Sequence, residues 1–372
     1  MAKKKKDVEL NEDDVFEELA DECDADILAA LDSVKYFIDT GSLAFNYVCS
    51  GRFIGGGIPG EKITEIYGPS SSGKSLVANN VLYGTQKLGG WPIILDCENS
   101  TNKEFMERAS HLNPKRVFRK TPWTLEQAFR SIHNMCRKIR DKEKAIGRDP
   151  KPIVFVYDSI TVSPCERELK ETNLPEDYQP ADWKKIVGRH EQPGERAKIC
   201  SSELRKLTSM MEGYGATLIV INQTRSKIGV MYGNPETTGG GGNALPFYAS
   251  CRLRTQQKKK IENKKLETYA GVNMAVRNVK NKTFQPFVEA EDIKLFFKTG
   301  VDPTSGLLRC LIQSERVTMK SAGNYTVVPQ YLPEGVDEYN FKASKAENRL
   351  PIEVILDCPA LIDGESREHV LE

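Results

Sequence analysis

The stretch Gly68-Pro-Ser-Ser-Ser-Gly-Lys-Ser75 has the residue types needed to hold a chain of phosphates. Its glycines let backbone N–H groups turn inward on anionic oxygens, and a helix starting inside the motif adds its N-terminal dipole. Gly68, Pro69, Ser70, Ser71, Ser72 and Gly73 form the cradle, Lys74 reaches the terminal phosphates, and Ser75 ligates Mg2+. An alternating apolar run, Ile63-Thr-Glu-Ile-Tyr67, precedes the motif and a helical run, Leu76 to Tyr83, follows it. That strand-to-helix context is the one this chemistry requires, so a nucleoside triphosphate is the expected ligand.

Two other apolar runs end in acids. Ile153-Val-Phe-Val-Tyr-Asp158 closes on a carboxylate, and phosphoryl-transfer enzymes place such an acid beside the magnesium. Leu95-Asp-Cys-Glu98 closes on two, and a period of two sends Asp96 and Glu98 to the same side. Either could orient or deprotonate an attacking water, or cap the helix that follows. Residue chemistry leaves that choice open.

The elements that must carry these groups follow from hydrophobic rhythm. Short apolar runs at Pro92-Ile-Ile-Leu95, Ile153-Val-Phe-Val156 and Thr217-Leu-Ile-Val-Ile221 are separated by stretches long enough for helices. This alternation predicts an α/β fold with a mainly parallel central sheet covered by helices. Residues 166–195 and 224–243 interrupt it, and long irregular segments in a compact domain are functional or disordered. Val15, Leu19, Ile27, Leu28 and Leu31 recur at helical spacing, which predicts an N-terminal amphipathic helix packed on its own core or docked on a neighbouring subunit. Beyond Val301-Asp-Pro-Thr-Ser-Gly306 a short helix, a hairpin around Gly323-Asn324 and an acidic end are expected. The organisation predicted is a tail and docking helix over 1–38, a core over 39–300 and a small α/β appendage over 301–372.

Bulk properties exclude other classes. Among 372 residues, 53 Lys and Arg balance 52 Asp and Glu, so any nucleic-acid site must come from local patches. Nine cysteines, odd in number and never spaced Cys-x-x-Cys, suggest neither a disulfide framework nor a zinc site and fit a reducing cytoplasm. No apolar run is long enough to cross a bilayer, and Met1-Ala-Lys-Lys-Lys-Lys lacks the apolar stretch of a secretion signal, so no membrane partner is expected.

Over roughly residues 35–300 the chain resembles the RecA recombinases. The similarity runs from Thr40-Gly-Ser-Leu43 through Gly56-Gly-Ile-Pro59, Glu65-Ile-Tyr-Gly-Pro69 and the P-loop to Phe247-Tyr-Ala-Ser250. Its strongest stretch is Ile221-Asn-Gln-Thr-Arg-Ser-Lys-Ile-Gly-Val-Met-Tyr-Gly-Asn-Pro-Glu-Thr-Thr238. The resemblance implies a RecA-like ATPase using ATP and Mg2+, which forms a helical filament on single-stranded DNA and exchanges strands with homologous double-stranded DNA. Single-strand binding and mediator proteins are implied as further partners, and the nucleoid in the cytoplasm as the place of work.

By position, Glu98 matches the family's catalytic glutamate and Phe105 the aromatic on adenine. Gln223 matches the residue that senses the terminal phosphate, and Lys280 and Lys282 match lysines that reach the ATP of a neighbouring subunit. The resemblance puts the second DNA loop after Gln223, where Arg225 and Lys227 suit phosphates, Ile228 and Met231 suit wedging between bases, and Gly241, Gly242 and Asn243 suit the backbone. Arg196 and Arg205 match basic positions beyond the first DNA loop, expected within 166–195.

The chain departs from the pattern in places. Asp158 and Gln223 stand 65 positions apart, roughly fifteen more than in a bacterial RecA, so the first loop carries an insertion. It holds Tyr178, Trp183, Lys184 and Lys185, suited to stacking and phosphate contact or to a plain surface loop. Pro246 replaces an interface lysine, Lys258 to Lys265 reads as an exposed basic turn, and the C-terminal region is more similar to phage relatives. A hexameric helicase sharing the core, or a regulatory paralogue that binds ATP without exchanging strands, are the competing readings; the loop after Gln223 argues against the first and the complete set of ATP-site groups against the second.

Overall fold

The apolar runs picked out above are neighbours in one sheet. The structure, a computed structural model, describes residues 20, 23, 34–99, 102–170, 194–226, 236–238, 242–263, 267–343 and 352–363. The chain divides into two units, Met1–Lys35 and Tyr36–Glu372, and every described site residue belongs to the second. The expected N-terminal docking helix, most of the insertion and the acidic end lie outside the described residues.

In chain order, β1 (Phe37–Ile38), α1 (Leu43–Ser50) and β2 (Ile58–Pro59) lead into β3 (Ile63–Gly68) and α2 (Lys74–Lys87). Then follow β4 (Trp91–Asp96), α3 (Lys103–Ser110), β5 (Phe118–Lys120), α4 (Leu125–Ala145), β6 (Ile153–Asp158), α5 (Glu166–Lys170), α6 (Glu195–Gly213) and β7 (Ala216–Ser226). Next come β8 (Glu236–Thr238), α7 (Ala244–Tyr248), β9 (Cys251–Asn263), β10 (Thr268–Asn281), β11 (Glu289–Phe296) and β12 (Gly300–Val301). The C-terminal part holds α8 (Leu307–Gln313), β13 (Val317–Ser321), β14 (Asn324–Val327), β15 (Asn340–Lys342), α9 (Ile352–Asp357) and α10 (Ala360–Asp363).

The central sheet runs in the order β12-β11-β10-β9-β3-β7-β6-β4-β5, with β8 added to β7. From β9 to β5 every pairing is parallel, as the rhythm predicts, while β10, β11 and β12 extend it antiparallel. All six residues of β6 are buried, which explains its unbroken apolar character. Val154 and Val156 face a core shared with α1 and α2, whereas Ile153, Phe155 and Tyr157 face one shared with α4 and α6. Period two thus feeds two helix-covered layers.

Two segments are more regular than their composition suggests. β7 continues through Ser226 and pairs with β8, so part of 224–243 is a short antiparallel ladder. The polar run around Lys258 belongs to β9, whose 13 residues form a long ribbon with the 14 of β10. The C-terminal helix and hairpin stand where expected, and Val317, Tyr325, Val327 and Phe341 join the same core as α1 and α2. Arg316 fastens that region: its guanidinium lies 5.1 Å from the ring centroids of both Phe53 and Tyr331 and donates to the Leu361 carbonyl at 2.8 Å. Among the described residues no helix is long and apolar enough to cross a membrane.

Candidate nucleotide-binding and hydrolysis site

The P-loop lies beyond the carboxyl end of β3, where parallel sheets take their ligands. Gly73 caps α2 with φ 89° and no side-chain cap, leaving first-turn N–H groups available to an anion. The loop is packed directly against the ribbon. A Cβ on Gly73 would fall 2.4 Å from Leu295, and one on Gly68 would fall 2.2 Å from the Thr255 carbonyl. Ser72 Oγ and Thr255 Oγ1, 2.8 Å apart, complete that contact. Between loop and ribbon opens a cleft of about 490 Å³, with Phe105, Val272, Leu295, Phe296 and Phe297 on its apolar side.

Lys74 turns its ammonium onto the loop itself, donating to the Gly68 carbonyl at 3.0 Å and the Pro69 carbonyl at 2.6 Å. Burial holds its pKa below the usual lysine value, against the pull of Asp158 and Glu98. Ser75 Oγ donates to Asp158 Oδ2 at 3.0 Å. Burial is the largest cause pushing the Asp158 carboxyl up to about 6; the Ser75 hydrogen bond opposes it, and Glu98 and Asp96 add to it. A hydroxyl and a carboxylate side by side at the phosphate cradle are the hard oxygen donors that Mg2+ takes, so these residues fit Mg-ATP.

The two acids at the end of β4 have separated. Asp96, buried within the sheet, accepts from Arg119 Nε at 3.1 Å and Nη2 at 2.8 Å. Glu98 stands past the strand end and is exposed; it accepts from Ser159 Oγ at 2.6 Å and Gln223 Nε2 at 3.2 Å. The even-spacing argument fails because β4 stops at Asp96. Behind Gln223, buried Asn222 accepts from Thr161 Oγ1 at 2.9 Å and donates to Glu65 Oε1 at 2.9 Å. Fully buried Glu65 also accepts from Arg252 Nε at 2.5 Å.

The remaining expected residues are placed unevenly. Lys280 donates to the Pro246 and Phe247 carbonyls, both at 2.8 Å, at the end of α7 of its own chain. Burial lowers its pKa first, and the nearby charges of Lys282 and Arg252 lower it further. Arg196 donates to the Ile160 and Thr161 carbonyls at 3.1 and 2.9 Å, while Arg205 is exposed on α6. Arg225 pairs with Thr237 between β7 and β8. Gly242, at φ 56°, comes close to Ala197, and Asn243 follows as the exposed cap of α7. Lys227, Ile228 and Gly241 lie outside the described residues, as do Tyr178, Trp183, Lys184 and Lys185. Sequence reasoning did not single out Ser159, Asn222 or Thr255. The first two are chain neighbours of Asp158 and Gln223, which was the available signal; Thr255 had none.

The chain is similar in sequence to known proteins. The family model described as the RecA N-terminal domain matches residues 29–140 and 185–302. Protein RecA of Thermus thermophilus is 33% identical over 278 residues, covering 74% of this chain and 71% of that protein. The chain belongs to the RecA family. Protein RecA of Deinococcus radiodurans is likewise 33% identical, over 77% of this chain and 69% of its own length. The DNA repair protein recA homolog 1, chloroplastic, of Arabidopsis thaliana is 32% identical over 76% of this chain and 57% of that protein. The RecA family match leaves out 141–184, a stretch that includes most of the insertion expected from the sequence.

Proposed function

We propose that this chain, a RecA-family recombinase and DNA-dependent ATPase, binds ATP with Mg2+ in the P-loop cleft and hydrolyses it at Glu98 while assembled as a filament on single-stranded DNA. The observation that carries the reading is the junction at Glu98, where an exposed carboxylate beyond β4 meets both Ser159 and Gln223. It stands next to Asp158, and the first-turn amides of α2 and Lys74 lie on the same edge of the sheet.

The loop amides and Lys74 hold the phosphates, and Ser75 and Asp158 hold the cation. Bound Mg2+ supplies neutralisation of charge on the transferring phosphoryl group. Glu98 orients the attacking water and accepts its proton. Gln223, which donates to Glu98 and heads the segment leading to β8, passes nucleotide occupancy toward the loop carrying Arg225, Lys227 and Ile228. Gly241, Gly242, Asn243 and Arg205 complete the strand-binding surface, and Arg196 shapes it through the carbonyls it caps. Phe105 packs on the base. Lys280 and Lys282 serve the neighbouring subunit's phosphates, for which Lys280 must leave its α7 carbonyls. The first 38 residues dock subunits, 39–300 form the core, and 301–372 form a C-terminal unit. Homologous duplex, single-strand binding protein and mediators are the partners, in the cytoplasm at the nucleoid.

ATPase rate against protein concentration, with and without single-stranded DNA at two salt concentrations, tests this reading. Cooperative, DNA-stimulated and salt-sensitive hydrolysis, followed by strand exchange, supports it. High hydrolysis without DNA, or none under any condition, overturns it.

A further inference from the structure

The wall of the cleft opposite the P-loop is built by two irregularities in the β9–β10 ribbon. Plain alternation along β9 puts Thr255, Gln257 and Lys259 on one face and Lys258 and Lys260 on the other. The pairing breaks that pattern. Gln257 opposes Met274 and Lys260 opposes Val272, so three steps on β9 match two on β10. Nearer the tip, Ile261 opposes Gly271 and Glu262 opposes Tyr269, so one step on β9 matches two on β10. Each is a bulge, which re-aims the side chains beyond it. Lys260 and Tyr269 consequently line the cleft together with Gln257.

Their arrangement has the chemistry of base recognition. Of the described residues lining the cleft, Lys74 and Lys260 are the two cations, and none is a carboxylate. Lys74 is engaged by the P-loop carbonyls. Lys260 Nζ lies 4.6 Å from the centroid of the Tyr269 ring, and Phe297 lines the same cleft. The ribbon is not free to drift away from the nucleotide site, since Thr255 holds Ser72 and Leu295 abuts Gly73.

We propose that the ribbon is the base-recognising wall of the nucleotide cleft, with Lys260, turned inward by the β9 bulge and steadied by the Tyr269 ring, donating a hydrogen bond to the purine. The inference rests on the reading of the cleft as an ATP site. A purine edge presents ring-nitrogen acceptors, and an ammonium is a pure donor. Tyr269 adds a stacking face.

Binding of a fluorescent ATP analogue to the full-length protein without DNA tests it, with ribose 5-triphosphate as a competitor. Lys260→Met, which keeps the apolar stem, weakens analogue binding about fivefold, as expected for one hydrogen bond. It leaves competition by ribose 5-triphosphate at the parent value. Tyr269→Leu weakens analogue binding as well. Lys259→Ala, which removes a cation that does not line the cleft, serves as the control. Parent-like binding by Lys260→Met, an equal loss in Lys259→Ala, or an equal loss toward ribose 5-triphosphate overturns the proposal. Lys74→Ala separates the two levels: if it binds the analogue and hydrolyses ATP as the parent does, the ATP-site reading itself has failed. If it loses both while Lys260→Met is normal, only the ribbon inference has failed.

Discussion

Gln223 and Glu98, 125 residues apart in the chain, meet side chain to side chain, with Gln223 Nε2 donating to Glu98 Oε1 at 3.2 Å. One residue lies on the strand that runs toward β8 and the proposed DNA loop, and the other at the proposed water-activating position. In that proposal the carboxylate orients water, and its holder registers whether the phosphates are present.

Replacing Glu98 by Gln keeps the shape and removes the base. Hydrolysis in single-turnover measurements with single-stranded DNA falls by about 10² to 10⁴, while ATP binding persists. A variant that retains the parent rate removes Glu98 from the reaction.

Gln223→Ala breaks the connection to the loop. In the parent, a non-hydrolysable ATP analogue tightens binding of a labelled single strand. In the variant the dissociation constants with and without the analogue converge. A preserved ratio between them contradicts the coupling.

Asp96→Asn acts on stability instead. Asp96 is 1% exposed and holds Arg119, which is 45% exposed. Weakening this charge-assisted pair costs about 1–3 kcal/mol in denaturant unfolding, and hydrolysis stays far above that of Glu98→Gln. The reverse ranking would reassign the base to Asp96.

Asp158 makes stability and metal binding depend on pH. Its carboxyl is pushed up to about 6, mainly by burial, so the fold prefers the neutral form. The stability this gives is complete below the ordinary aspartate value of about 4 and is lost as pH rises through about 6. A cation needs the ionised group, so Mg2+-dependent nucleotide binding strengthens over the same range. Thermal melts between about pH 4.5 and 7 should show the nucleotide-free parent losing ground to Asp158→Asn as pH rises. Parallel curves would contradict the assignment.

Arg252→Ala strips the cation from a carboxylate that is 0% exposed. Removing one partner of a buried pair costs about 3–5 kcal/mol, and Asn222, held by the same Glu65, loses its fixed orientation. A melt within a degree or so of the parent would show that Glu65 is better hydrated than its burial implies.

Much of this was legible from local pattern. The P-loop is contiguous, and its flanking strand and helix show their own periods, so β3, α2, β4 and β6 fall where the sequence puts them. Residue chemistry left Asp96 and Glu98 alike, because the contacts that set them apart reach Arg119, Ser159 and Gln223, which are 23, 61 and 125 residues away. The run from Lys258 to Lys265 reads as an exposed basic turn because lysine is a poor strand former; the strand character of its first six residues comes from pairing with β10. Lys280 is expected to reach toward a neighbouring subunit, and only the fold puts the end of α7 within its reach.

Parallel pairing between β9 and β3 ends at Arg254 opposite Tyr67, yet β9 continues to Asn263. The ribbon is therefore a beam braced along its side as well as at its root: Thr255 bolts the root to the phosphate loop, and β11 laces β10 from Arg277 to Gly271, which lies opposite Ile261. Leu295 of that bracing strand itself abuts Gly73. A settling of the loop on its phosphates would thus press on two neighbouring strands at once, and the pair would have to answer as one plank, carrying the shift outward to the rung at Ile261.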